Sequence, residues 1–595
     1  MELEITTPAF GTGRTAPQRL GDELQVSRSS IQEGQEAPRV LDSMGAPLHD
    51  TPAHVVPEVA PAGWSARDGR RRAWVCRAGL GLIMVVQALL SMRLHNTAFM
   101  DEALYIYAGH AEFAHIFHGA PVNSSYSSTF SGSPMLYPLL AGPMDSLGGL
   151  TGARALSLLF MLGCTGLLYS LTRRLFEERV GLFAAALFVA AQSTIVLGWF
   201  ATFDSAALFL LAFAAWIVVR TDRANPFTVL FAAPILVLAF CTKYAAGLFI
   251  PTVVALAVIV AWPHRGARAL WRGVLLSAAL GAIGGAVLYG SSILAGIQFT
   301  TTSRAHGTNS TSSLIDVSAD WIGLALALAC WGALSYVWRG SIGEVTSAAR
   351  KATGEEPGRI WRAMLGLLLC GTGLLAPAYQ IHLSTSVSLH KHVGFGLFFF
   401  APLAGLGLAR IVGPHFRRTA IGPRFRRATI GVGLLIIRAA TGLLIIVLAL
   451  SNAIEQSQRR YATWPDSTRL VDLLRPHVNG KGRYLSDIAQ VPTYYFRDIT
   501  KWNQWTGTYY LNYTDTKGVK RTGADAFAAA IDDGRYNFVV LQKPGVSKFD
   551  PAIAKALPTS GKYRLYAELP FSTTFGDGSY QVWMRTSDSR GTSVS

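Results

Sequence analysis

Apolar stretches of about 20 residues recur from residue 73 to residue 450, and that is the length a helix needs to cross the hydrocarbon of a bilayer. The candidates run over 73–92, 151–171, 181–200, 203–220, 226–241, 244–262, 273–293, 319–338, 363–381, 393–411 and 430–450, so about eleven transmembrane helices are predicted. Only 15% of the 595 residues are charged and half are hydrophobic, a balance foreign to a soluble chain of this length. Mean hydropathy is positive, +0.31. The predicted fold class is therefore a polytopic α-helical membrane protein. A net charge of +17 raises the question of nucleic acid, but the basic residues cluster between apolar runs, as membrane topology requires, and no nucleic-acid partner is expected. Cys76, Cys164, Cys241, Cys330 and Cys370 lie in or beside apolar segments without zinc or disulfide spacing, and read as small core residues.

Three regions follow. Residues 1–66 are rich in Pro, Gly, Ser, Glu and Arg, lack apolar periodicity and lack the apolar core of a cleavable signal, which predicts a disordered cytoplasmic tail. Residues 67–450 form the predicted transmembrane domain. With the N-terminus in the cytoplasm, the inner segments hold about 24 Lys and Arg against about five outside, namely Arg93, Arg154, Lys243, Arg304 and Lys391. Residues 451–595 then form a domain outside the plasma membrane. Helical patterns at 466–475 and 524–531 alternate with strand patterns at 483–486, 537–541, 563–568 and 580–584, which predicts a small extracytoplasmic α/β domain.

With that orientation, unusual polar residues collect on the outer face. Asp101 and Glu102 follow the first span, and Asp204 sits in the next outer turn. Lys243 lies at the same depth, Arg304 and His306 precede the eighth span, and His390, Lys391 and His392 precede the tenth. Carboxylates and cations at one membrane depth suit sugar transfer from a polyprenyl-phosphate donor. The departing phosphate is stable as an anion and needs cations rather than a general acid, whereas the acceptor hydroxyl needs a base. The lipid tail stays in hydrocarbon while the sugar meets water, so such a site belongs at the interface.

The segment Met100-Asp101-Glu102 resembles the acidic motif of the GT-C type glycosyltransferases. Ser131-Gly132-Ser133-Pro134 with Tyr137-Pro138, Gly148-Gly149 with Ala153-Arg154, Phe203-Asp204-Ser205, Thr242-Lys243-Tyr244 and His390-Lys391-His392 through Pro402-Leu403 extend the likeness over residues 73–450. It is to the protein mannosyltransferase and aminoarabinose transferase group (glycosyltransferase family 39-like), in its details to actinobacterial members. The resemblance implies a polyprenyl-phosphate-sugar donor, no tightly bound cofactor, and a cell-envelope acceptor: glycan, lipid or protein. It implies catalytic roles for Asp101, as base, and for its neighbour Glu102. It implies substrate contacts from Asp204, Lys243, Arg304, His390 and Lys391. No MIR-like domain is present in the sequence, so protein O-mannosylation is not implied.

Other readings compete residue by residue. Asp101, Glu102 and Asp204 also suit the N-termini of the helices that follow them. Lys243 and Lys391 also suit snorkelling to headgroups. His390 and His392, two residues apart on what reads as a loop, fall short of a metal ligand set, so no metal site is expected there. Trp502, Trp505, Tyr509, Tyr510 and Tyr513 suit sugar stacking or core packing equally. For the whole chain, a transporter or flippase of lipid-linked sugars is the alternative. Transporters show paired repeats and mid-membrane charges, and here the acids sit at the rim without a repeat. A non-catalytic envelope assembly protein is the third reading.

Overall fold

The computed structural model describes residues 66–289, 291, 293–301, 307–340, 357–413 and 425–586. The expected disordered tail and Arg304 with His306 lie outside the described residues, apart from Ala66 at the tail's end. The segment Arg72–Ser595 forms one unit. Its helices are α1 (Ala66–Ser91), α2 (Met100–His118), α3 (Tyr137–Leu175), α4 (Glu178–Val189), α5 (Gln192–Leu197), α6 (Phe203–Arg220), α7 (Ala232–Thr242), α8 (Ile250–Ile259), α9 (Leu270–Leu288), α10 (Thr311–Arg339), α11 (Arg359–His382), α12 (Leu389–Val412) and α13 (Phe425–Tyr461), with shorter turns between them. Among the described residues, eight helical stretches are long and apolar enough to cross a bilayer, and a shorter apolar one spans Pro226–Thr242.

The difference from the hydropathy count has local causes. The run expected as one span over 181–200 is broken at Ala190 and Ala191 into α4 and α5, whose residues are largely buried in the bundle. A helix surrounded by protein need not match bilayer thickness, because neighbouring helices rather than lipid meet its ends. The two spans expected over 244–293 form one apolar stretch, Tyr244–Leu288, broken by short turns at Trp262–Ala269. The 39-residue α3 is kinked where Gly148 and Gly149 leave helical geometry. Gly149 has φ +60°, which an L side chain rarely adopts.

α12 is the axis of the bundle. Its most apolar 18-residue window is 83% buried, against 11% for the corresponding windows of α1 and α13. Gly332 of α10 and Gly407 of α12 let these helices approach until a Cβ on either would strike the other's backbone at about 2 Å. His390, Lys391 and His392, expected on a loop, occupy the first turn of α12 instead. Ser388, in the left-handed region at φ +63°, precedes the helix, which begins at Leu389, about one turn before the start expected at 393.

The C-terminal α/β region follows α13. Its five-stranded sheet has β1 (Tyr484–Ser486), β2 (Trp505–Thr506), β5 (Phe538–Lys543), β6 (Tyr563–Thr573) and β7 (Gly576–Arg585) in the order β2-β1-β5-β7-β6, with β3 (Asn512–Thr514) and β4 (Lys520–Thr522) paired separately. β1 is parallel to β2 and β5, with Leu485 opposite Val539, while β7 runs antiparallel to β5 and β6. Side chains alternate between the two faces of a strand. Phe538 and Val540 accordingly join a cluster with Tyr105 and Ile106 of α2 and Tyr137 of α3, whereas Val539 and Leu541 pack with Phe527, Ile531, Ile553 and Leu557. One face of the sheet is thus continuous with the membrane bundle at the end where α2 begins, and this docking positions the site below it.

Candidate active site

Asp101 and Glu102 are adjacent in sequence but have opposite surroundings. Both lie in the first turn of α2. Glu102 is fully buried. Its Oε2 accepts the backbone N–H of Phe99 at 3.0 Å and an Arg154 amine at 2.8 Å, and its Oε1 accepts Arg154 Nε at 2.9 Å and the Ala201 N–H at 2.9 Å. Arg154 also donates to the carbonyl of Asn96 at 3.0 Å. Glu102 therefore fastens the start of α2 to α3 and to the turn before α6, and the helix-terminus reading of an acid here describes Glu102 well. Asp101 points the other way. Its side chain is 39% exposed, and Oδ2 accepts from Lys391 Nζ at 3.1 Å.

Lys391 joins Asp101 to Asp204. Its ammonium is 3.8 Å from Asp204 Oδ2 and stands 5.0 Å from the ring centre of Phe200. Asp204 is fully buried near the start of α6. It is not the residue capping that helix: Thr202 holds that position and donates its hydroxyl to Asp204 Oδ2 at 3.1 Å. Asp204 Oδ1 faces Lys243 Nζ at 3.6 Å and His392 Nε2 at 3.9 Å. One buried carboxylate thus holds two lysines and a histidine drawn from two helix ends, the end of α7 and the start of α12.

Lys243 is aimed by the Ser131–Ser133 turn. Its Nζ donates to Ser131 Oγ at 2.8 Å, Ser133 N–H bonds the Cys241 carbonyl at 2.7 Å, and Tyr244 N–H bonds the Ser131 carbonyl at 3.0 Å. Gly132 permits this pairing, since a Cβ there would sit 1.9 Å from the Thr242 oxygen. Beyond Lys243 lies a cavity of about 370 Å³ lined by Ser131, Lys243 and His392 at one end and by Phe240, Leu248, Phe249 and Ala376 along its apolar side. Its lining is thus cationic and polar at one end and apolar along the rest.

The structure brings together Asp101, Asp204, Lys243 and Lys391. Glu102 is at the same helix start but committed to Arg154. The ring of His390 packs edge-on toward Trp321, 6.4 Å between centroids. Sequence reading singles out His390, whereas His392 is the histidine 3.9 Å from Asp204; both are buried, and their placement in the first turn of α12 decides which of them meets the carboxylate. Arg460, near the end of α13, lies within electrostatic reach of Asp101 and of His390, and sequence patterning does not single it out. Its signal is position: an arginine within about ten residues of the last apolar run.

The α/β region roofs this end of the bundle. Tyr107 OH accepts the Trp502 N–H at 3.0 Å, and Tyr495 OH accepts the Ala98 N–H at 3.0 Å. Asp145 of α3 is fully buried between His110 Nε2 at 2.7 Å, Tyr494 OH at 2.5 Å and Arg497 at 2.8 Å. Tyr509 is 44% exposed; burial of its ring environment raises its phenol's pKa, and the charges of Asp487, Asp550 and Asp101 add to that.

Breaking a buried ion pair by neutralising one partner costs about 3–5 kcal/mol, because the other charge is stranded. Glu102→Gln is accordingly expected to lower the thermal stability of the purified protein sharply, and pairing it with Arg154→Met to recover part of the loss. Differential scanning of the single and double variants checks this. Equal stability of Glu102→Gln and wild type would detach Glu102 from the scaffold.

Residues 133–289 match the model of the dolichyl-phosphate-mannose-protein mannosyltransferase family, a segment that includes Asp204 and Lys243 but not Asp101 or Lys391. No curated protein matches the chain. Among solved structures, ArnT from Cupriavidus metallidurans in the apo state is similar with TM-score 0.52 at 16% identity, covering 86% of this chain and 98% of that one. The same protein bound to undecaprenyl phosphate gives TM-score 0.50 at 14% identity, with the same coverage. The Archaeoglobus fulgidus oligosaccharyltransferase in the apo form gives 0.45 at 12%, covering 84% and 74%. The chain is a multi-pass membrane protein with the GT-C type fold and a C-terminal α/β region.

Proposed function

We propose that this protein is a membrane glycosyltransferase that moves a sugar from a polyprenyl-phosphate donor to a hydroxyl of a cell-envelope acceptor, at the outer face of the plasma membrane. The observation that carries the proposal is the setting of Asp101. It is the carboxylate of the cluster that solvent reaches, and it is bonded to Lys391, whose ammonium also meets Asp204 beside the cavity. The ArnT structure bound to undecaprenyl phosphate shares this fold and supports a lipid phosphate as ligand.

In this reading the donor's phosphate enters between Lys243, Lys391 and His392, with its prenyl chain along Phe240, Leu248 and Phe249. The phosphate draws the Lys391 ammonium to itself and leaves Asp101 Oδ2 open to the acceptor. The acceptor oxygen bonds to the anomeric carbon as the bond from that carbon to the phosphate oxygen breaks. Asp101 takes the acceptor's proton, and the phosphate leaves as an anion held by the cations. Asp204 keeps the cations in place without touching the sugar, and Glu102 holds the helix start that presents Asp101. Both are positioning residues. Residues 67–450 form the catalytic domain and 451–595 an extracytoplasmic domain that covers the acceptor side.

The test is transfer by the purified protein from a panel of labelled polyprenyl-phosphate sugars to cell-envelope fractions. Label moving from one donor to an acceptor, with polyprenyl phosphate released, supports the proposal. Movement of intact donor across proteoliposome membranes without sugar release would make it a flippase instead.

A further inference from the structure

In the C-terminal sheet the connections part at the carboxyl ends of two parallel strands, β1 and β5. The chain leaving β1 turns into the helix Gln490–Tyr495, whose Val491 and Tyr494 pack on the bundle side. The chain leaving β5 turns into the helix Asp550–Thr559, whose Ile553 and Leu557 pack on the opposite face. Open α/β sheets bind ligands in the crevice at such a point. Here Asp487, directly after β1, lies within electrostatic reach of Asp550, and Tyr509, three residues after β2, lies within reach of both.

Each acid has one oxygen committed and one left over. Asp487 Oδ2 accepts the Gln542 N–H at 2.5 Å, and Asp550 Oδ2 accepts the Val546 and Ser547 N–H groups at 2.7 and 2.6 Å. Ser547 Oγ donates to the Thr508 carbonyl at 2.7 Å, which ties the Thr508 turn to the loop before Asp550. Asp487 and Thr508 are fully buried, and Asp550 nearly so. Among the described residues, Asp487 Oδ1, Asp550 Oδ1 and Thr508 Oγ1 have no hydrogen-bond partner, and no cationic side chain pairs with either carboxylate. Two carboxylates buried side by side cannot both stay ionised without a counter-charge. The orphaned Thr508 hydroxyl adds a neutral oxygen, which a counter-ion with several oxygen ligands would use. Among the described residues no three His, Cys, Asp or Glu side chains gather into a metal site, so the ligand set here is two carboxylates and that hydroxyl. A set made of oxygen alone suits a hard cation rather than zinc.

We propose that Asp487 Oδ1, Asp550 Oδ1 and Thr508 Oγ1 hold a hard divalent cation of the calcium or magnesium class, whose two charges match the two carboxylates. Backbone carbonyls and water complete the coordination of such ions. The cation joins the ends of β1 and β5 to the turn that carries Tyr509. Tyr509 also lies within electrostatic reach of Asp101, so the cation fixes the part of the roof nearest the candidate site. Its binding does not depend on the proposed transfer reaction, and either can fail alone.

The full-length protein in detergent, stripped with EDTA and titrated with calcium, magnesium or sodium, tests this by its thermal midpoint and by elemental analysis of the bound metal. Wild type is expected to take up one divalent ion per chain and to unfold at a higher temperature with it, because a ligand of the folded state alone stabilises that state. Sodium should do neither. Asp487→Asn should weaken the divalent ion by about tenfold or more, since affinity follows the number of charged ligands. Without metal the same variant should be at least as stable as stripped wild type, because the change removes a buried like-charge contact. Thr508→Val keeps the shape of its side chain and should also weaken the ion, which holds the test open if Asp487→Asn fails to fold. A wild-type midpoint indifferent to divalent ions, with no metal taken up, overturns the proposal and leaves the two carboxyl groups sharing a proton. Uptake that is unchanged in both Asp487→Asn and Thr508→Val places the ion elsewhere and overturns it too.

Discussion

Asp101→Asn is expected to leave the protein folded and inserted while lowering transfer by a factor of roughly 10² to 10⁴, the worth of a general base. Asparagine keeps the size of the side chain and still offers an oxygen to Lys391 Nζ, now 3.1 Å from Asp101 Oδ2. What it loses is the capacity to take a proton. The side chain is 39% exposed, so the exchange should change stability by no more than about 1 kcal/mol, the usual worth of a solvent-screened pair. Donor binding should persist, because the cavity's cations are untouched. Rate and donor affinity measured side by side separate the two: a fall in turnover with unchanged donor affinity is expected. Normal turnover in Asp101→Asn would remove Asp101 from the chemistry.

Lys391→Met should have the second large effect, and it should be of a different kind. Lys391 is buried in α12 and holds both Asp101 and Asp204. Methionine keeps the apolar stem that packs there but removes the charge. Asp204 retains Lys243 at 3.6 Å, so the stability cost is expected at about 3 kcal/mol, the low end for a broken buried pair. Loss of a preorganised electrostatic contact to the departing phosphate is worth about 10²–10³ in rate. Donor affinity should fall together with turnover, and the dependence on a soluble acceptor should not change. A variant with unaltered donor dependence would return Lys391 to the role of a residue reaching for headgroups.

Much of this was legible in the sequence because membrane chains are constrained so heavily. Apolar length marks the long helices, and charge asymmetry assigns Asp101, Asp204, Lys243 and Lys391 to one side, where the structure links them in the order Asp101–Lys391–Asp204–Lys243 at 3.1, 3.8 and 3.6 Å. In the C-terminal region, a short apolar run marks the buried strand expected at 537–541, which the structure places at Phe538–Lys543. The strand starting at Tyr563 runs to Thr573, beyond its expected end at 568; Leu569 and Phe571 continue it on the face packed against the bundle, while Pro570 between them breaks the strand pattern in the sequence. Hydropathy failed where helices are enclosed by protein: α4 and α5 read as one span, since a scale built for lipid contact cannot see a break stabilised by neighbours. It also could not tell Asp101 from Glu102. That distinction rests on Arg154, 52 residues later in the chain, which claims one carboxylate and leaves the other to Lys391. The choice between His390 and His392 likewise waited on the helical phase of α12.

The account stands most directly on where the donor lies. A polyprenyl-phosphate sugar bearing a photoreactive group on the first isoprene units, activated in the presence of purified protein, reports this by the residues it labels. Adducts on Phe240, Leu248 or Phe249, suppressed by Lys391→Met, are the predicted result. Adducts spread over the lipid-facing surface and indifferent to Lys391 would contradict the account.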